Sequence, residues 1–262
     1  LANRGFPEWH LALVGLVSAL LAYAAIHAFN DFVDRRRDIE CWPGRPIPSR
    51  RLNSLQVLLF VISCFAVSLG LIWYFFNFTC FVVSLIAVIM GCLYSAWLRD
   101  LVGYLVLPPI QGLLWLCGWT AFSPDTLFTS WMPWVLYVFS ACWQAGHIMV
   151  YSPLHPIRKV KGKTLTQVPA LFVTTSPNSA AILGFIFLVV TLGMGVFLSF
   201  YANLGPVFMI PFIVMGLVTL YISLGFMRDS ANFAKGIRAF TSATYFMLVA
   251  RLGILLSVFL FF

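Results

Sequence analysis

Eight stretches of this chain are each apolar over about the length needed to cross a bilayer, and that pattern leaves few folds open. They run approximately over 9–31, 55–76, 78–97, 101–122, 130–150, 178–201, 203–227 and 242–262, and a spanning helix needs roughly 20 such residues. Inside hydrocarbon every backbone N–H and C=O has to be paired within the protein, so the expected fold is all-α: a polytopic membrane bundle of eight visible transmembrane helices. Composition agrees, with 61% hydrophobic and 9% charged residues and a mean hydropathy of +0.96. Residues 1–262 are read as a single transmembrane domain.

A net charge of +8 would suggest nucleic acid in a soluble protein, but its distribution excludes that reading. Fourteen of the 16 Lys and Arg residues lie in alternate loops, at 35–51, at Arg99, at 158–163 and at 228–238, and the intervening loops carry none. The positive-inside rule turns this face toward the cytosol or its organellar equivalent. The six cysteines lack any CxxC spacing and fall mostly within spans, as packing residues do. No cleavable signal peptide is expected, because the first span is too long and ends in a polar motif. The abrupt start suggests a preceding segment.

On the basic face sits a dense acidic cluster. Asp31, Asp34 and Asp38 fall within eight residues, where the first apolar run gives way to Arg35, Arg36 and Arg37. If the run continues as a helix, the three carboxylates share one face with Asn30. Crowded carboxylates need either a hard divalent cation such as Mg²⁺, which also accepts phosphate oxygens, or basic partners. Both a metal site and an acidic helix end in salt bridges to Arg35–Arg37 remain open on spacing alone. The following Pro43, Gly44, Arg45, Pro46 and Pro48 forbid a regular helix and predict a rigid turn that holds Arg45 near the acidic face. His27, one turn before Asp31, reads as a hydrogen-bonded bundle residue.

Asn30-Asp31-x-x-Asp34-x-x-x-Asp38, followed at this distance by Arg45-Pro46-x-Pro48-Ser49, resembles the first signature of the UbiA superfamily of intramembrane prenyltransferases. The resemblance implies a nine-helix bundle with a central cavity, of which the eight visible helices match the second to ninth, the family's first helix being apparently absent. It implies Mg²⁺ on Asn30, Asp31, Asp34 and Asp38, gripping a prenyl diphosphate. Tyr94 and Arg99 resemble the family's Tyr followed by a base that contacts diphosphate, although Tyr94 alone is simply an interfacial aromatic. A second Asp-x-x-x-Asp motif is missing: Lys163-Thr164 matches its end, but no carboxylate lies between Asp125 and Asp229. Either Arg158, Lys159, Lys161 and Lys163 hold the diphosphate directly, or the usual activity is lost. His155 is a further possible ligand.

Several other residues carry expectations. Pro108 and Pro109 predict a kinked fourth helix, with Gln111 facing either a cavity or a neighbouring helix. Gln144 and His147 are expected at a cavity wall, and Gly184, Gly193 and Gly195 at close helix contacts. The loop from Arg228 to Phe240 reads as a short amphipathic surface helix. Arg251 needs a partner or a route to the interface, and the Asn77 sequon lies in a tight turn at the opposite face.

Acidic and basic groups on one side of a greasy bundle suit an amphiphile with a diphosphate head and an isoprenoid tail. The resemblance implies ionisation to an allylic cation, which alkylates a lipophilic acceptor in a prenyltransferase. Capture by the tail's own double bonds would make a terpene cyclase of the same superfamily, and a non-catalytic isoprenoid-lipid binder is the third reading. The partners expected are a prenyl diphosphate, a lipophilic acceptor and the bilayer.

Overall fold

A computed structural model describes residues 8–99, 106–151, 158–160, 163–165 and 177–261. Eight long helices are described: α1 (Trp9–Cys41), α2 (Ser54–Phe75), α3 (Phe78–Leu93), α4 (Leu107–Phe122), α5 (Met132–Tyr151), α6 (Pro177–Tyr201), α7 (Gly205–Met227) and α8 (Phe233–Phe261). Six are long and apolar enough to span a membrane among the described residues: α1, α2, α3 with its C-terminal extension, α6, α7 and α8. Two three-residue strands, β1 (Arg158–Val160) and β2 (Lys163–Leu165), pair antiparallel in the basic loop after α5.

Successive helices pack on one another; α1 also touches α3, and α8 returns to α5. The main core lies in the second half of the chain, where Phe139, Phe208, Phe212, Phe226 and Phe246 are essentially inaccessible. A smaller cluster of Ala25, Val57, Val61 and Cys64 joins α1 to α2. Leucines such as Leu13, Leu20, Leu59, Leu217 and Leu256 are exposed around the perimeter, the surface that acyl chains cover. Because lipid offers helices little hydrophobic reason to associate, polar contacts and small residues align them. Ser18 and Ser68 each donate to the other's carbonyl at 2.9 Å, and Trp143 Nε1 donates to Ala243 O at 2.7 Å. A Cβ at Gly195 would collide with the Phe212 ring, whereas one at Gly193 meets nothing within 4 Å. Only Gly195 of these two is needed for close approach. Gly146, which the sequence did not single out, packs against Leu188 and the Gly184 carbonyl.

Several local expectations change. Pro108 and Pro109 lie in the first turn of α4, where a missing N–H costs nothing, so they start that helix rather than kink it. No separate surface helix follows α7: after a short turn, α8 carries Lys235 and Arg238 in its first two turns. Asn77 caps α3, accepting from Cys80 N at 2.9 Å while its amide donates to Thr120 O at 2.7 Å. That double role explains the residue without glycosylation. The Arg251 guanidinium lies 5.9 Å from the Trp143 ring, a cation–π contact for the intramembrane charge. Cys64, Cys80, Cys92, Cys117 and Cys142 are free thiols.

Candidate active site

The α1 helix runs through the acidic cluster without a break. Its 33 residues make a rod of about 50 Å, well beyond the roughly 30 Å of hydrocarbon. The apolar run fills the membrane, and the turns carrying Asp31, Asp34 and Asp38 emerge at the interface.

Two sets of arginines divide these carboxylates. Asp34, buried at 6% exposure, accepts from Arg99 through both oxygens, at 2.8 and 2.5 Å, and pairs with Arg37 at 2.7 Å. Asn30 joins this set: with its amide turned to suit both neighbours, its oxygen accepts from Arg99 Nη1 at 3.0 Å and its nitrogen donates to Asp34 at 3.3 Å. The second set is a bridge. One nitrogen of Arg45 donates to Asp31 at 3.0 Å and to Asp38 at 2.8 Å, spanning two helical turns. Asp38 is fully buried, and its other oxygen has no hydrogen-bond partner among the described residues.

The proline-rich turn holds Arg45 in place as expected, with means the sequence did not reveal. Ser49 donates to Arg45 O at 2.6 Å, and Arg51 donates to Ser49 at 3.0 Å and to Gly44 O at 2.5 Å. Arg50 adopts φ 59°, and Asn53 with Gln56 forms a capping box that starts α2. Arg35 turns away from the carboxylates, donating to Phe32 O at 2.6 Å and lying over the Phe32 ring.

Arg99 reaches Asp34 because α3 changes pitch. Tyr94–Leu98 form a π-helical turn, a wide turn often found at functional sites. Tyr94 is buried there at 8% exposure, and Ser95 lies 3.4 Å from Asn30. Neither the π-turn nor Ser95 has a sequence signature; the nearest clue was Tyr94 five residues before Arg99.

The oxygen donors and the unpaired Asp38 oxygen fit a hard cation such as Mg²⁺. Arginines hold all three carboxylates, however, and no three acidic, His or Cys side chains converge closely enough for an ion among the described residues. Chelation therefore requires Arg45 to leave the carboxylates. In the basic loop the backbone pairs Arg158 with Leu165, Lys159 with Thr164 and Val160 with Lys163. The side chains of Arg158, Lys159 and Lys163 lie outside the described residues, as do Lys161 and His155. His147 packs against Trp143 and Phe240, at centroid distances of 5.0 and 4.1 Å, with its Nδ1 buried and without a hydrogen-bond partner among the described residues.

The structure is thus that of a helical membrane bundle with aspartates and arginines gathered at one end of its helices. The fold is shared with a structure described for digeranylgeranylglyceryl phosphate synthase in membranes: TM-score 0.72, 13% identity, 96% of this chain and 87% of that one. It is shared equally with the apo structure of a UbiA homolog from Aeropyrum pernix K1, at TM-score 0.71 and 15% identity, covering 95% and 93%. The sequence matches the UbiA prenyltransferase family over residues 1–259, and the chain belongs to that family. Curated relatives include a protoheme IX farnesyltransferase of Leptospira biflexa, 24% identical over 71% of this chain and 70% of the relative. A 4-hydroxybenzoate octaprenyltransferase of Vibrio vulnificus is 25% identical over 58% and 53%. A digeranylgeranylglyceryl phosphate synthase of Methanopyrus kandleri is 30% identical over 41% and 40%. The chain is thus an integral membrane enzyme of the prenyltransferase kind.

Proposed function

We propose that this protein transfers an isoprenyl group from a prenyl diphosphate to a lipophilic acceptor, with Mg²⁺ and with the α1 carboxylate face as the diphosphate site. The observation that carries the reading is the charge balance of the cluster, in which Asp31, Asp34 and Asp38 are matched by Arg37, Arg45 and Arg99. The cluster by itself is neutral, so a diphosphate seated there draws its positive charge from outside the cluster, from an accompanying Mg²⁺ and from the basic loop. Asp31 and Asp38 would hold Mg²⁺ once Arg45 releases them, with Asn30 and Asp34 adjoining. When bound, the ion neutralises the diphosphate and improves it as a leaving group.

The remaining work falls to the chain. Arg45, freed from the carboxylates, is placed to donate to the phosphate oxygens, and the proline-rich turn keeps it within reach. Arg99 orients Asp34 and stays paired. The apolar helices accept the tail and keep water from the cation formed as the C–O bond breaks. Arg158, Lys159 and Lys163 supply further positive charge from the basic loop. The relatives carry different prenyl and acceptor names, which leaves the donor class common to them and the acceptor specific to each. The basic loops and this site face the cytosolic side by the positive-inside rule.

The test is diphosphate release from prenyl diphosphates by the purified protein, with and without Mg²⁺ and with or without a membrane extract. Release that needs both the metal and the extract, and that Asp38→Asn abolishes, is expected. Release without extract, with cyclic products, would show a cyclase and overturn the transfer reading. Tight binding with no release under any condition would show a carrier.

A further inference from the structure

Where α7 ends and α8 begins, the structure forms a pocket of about 250 Å³ that the prenyl-transfer reading does not use. It is lined by Tyr221, Ile222, Leu224 and Gly225 of α7 and, around the turn into α8, by Arg228, Lys235 and Arg238. The core-facing side of α7 is made by Phe208, Phe212, Gly216, Thr219, Ser223 and Phe226. Tyr221, at 79% exposure, lies on the other side, so the pocket opens to the lipid perimeter.

The positive charge lining it is only partly answered. Lys235 pairs with Asp229 at 2.9 Å. Arg228 and Arg238 have no carboxylate partner among the described residues. The N-terminal end of α8, at Phe233, adds the positive end of a 29-residue helix dipole. A group seated here meets cations at the level of the interface and apolar side chains one to two turns deeper in the membrane.

We propose that this pocket binds the phosphate headgroup of an anionic glycerophospholipid from the surrounding leaflet, with the acyl chains lying along Tyr221 and Gly225. Charge complementarity and the opening toward lipid select this occupant: basic pockets between transmembrane helices on the positive side take anionic head groups. A soluble anion would satisfy Arg228 and Arg238 but would have no use for the apolar lining. The volume suits a phosphate and part of its glycerol, which leaves the tails in the bilayer.

The experiment is native mass spectrometry of the full chain released from neutral detergent after incubation with phosphatidylglycerol or phosphatidylcholine. One phosphatidylglycerol retained in preference to phosphatidylcholine is expected. Arg228→Gln with Arg238→Gln should weaken retention by about 25-fold, at roughly fivefold for each arginine near an anionic head group. A second variant keeps every charge. Nothing lies within 4 Å of a Cβ built at Gly225, so Gly225→Leu starts its side chain in open space beside the lining residues and should also expel the lipid, with a melting temperature near wild type. Equal retention of both lipids, or retention unchanged in Gly225→Leu, would overturn the proposal. Displacement of phosphatidylglycerol by millimolar inorganic phosphate would show a simple anion site and overturn it as well. None of these readouts depends on turnover, so failure of the transfer reading leaves this test intact.

Discussion

Asp34→Asn removes the charge on which two arginines converge, and its cost follows from the geometry. Asp34 is 6% exposed and Arg99 7%, so solvent cannot replace what is lost. The change deletes the anion that accepts two bonds from Arg99 and one ion pair from Arg37, leaving two guanidinium groups facing a neutral amide. Breaking a buried pair from one side costs about 3–5 kcal/mol. Arg99→Met should cost less, about 1.5–3 kcal/mol, because Asp34 keeps Arg37. Since both changes break the same two hydrogen bonds, the double variant should cost less than the sum of the two, by about 1 kcal/mol or more. Reversible unfolding in mixed micelles measures all three. A cost for Asp34→Asn below about 1 kcal/mol, the range of exposed ion pairs, or strict additivity in the cycle, would refute the claim that this is a desolvated clasp.

Three further outcomes follow from single contacts. Gly195→Leu drives its side chain into the Phe212 ring and should cost about 1–3 kcal/mol by overpacking, while Gly193→Leu, in open space, leaves the melting temperature near wild type. Asn77→Ala removes the α3 cap and the bond to Thr120 O, for a loss of about 1 kcal/mol in the same unfolding assay. Asp229 is held below the ordinary carboxylate range, chiefly by the hydrogen bond from Lys235. A depressed folded-state value means that its contact helps above about pH 4 and is lost as the pH falls through that lower value; Lys235→Met should therefore flatten the acid limb of a stability–pH profile.

Hydropathy alone determines that this chain is a helical membrane bundle, because hydrocarbon leaves the backbone of an apolar run no other way to pair its polar groups. Local order also carries the acidic face: residues spaced three, four and seven apart share one side of any helix, so Asp31, Asp34 and Asp38 were bound to line up. Proline chemistry likewise announced the turn that presents Arg45. Long-range pairing decided the rest. Nothing in the chain order says that Arg99 belongs to Asp34 and Arg45 to Asp31 and Asp38, since those partners meet only when α1, the proline-rich turn and the π-turn after α3 are packed together. The same limit applies to Pro108 and Pro109, whose place at a helix start rather than mid-span depends on where α4 begins. It applies also to Arg228 and Arg238, which line one pocket only because α8 starts almost at once after α7. Periodicity is a property of one segment, whereas the partner of a buried charge is set by packing, as Arg99 is for Asp34, 65 residues away in sequence.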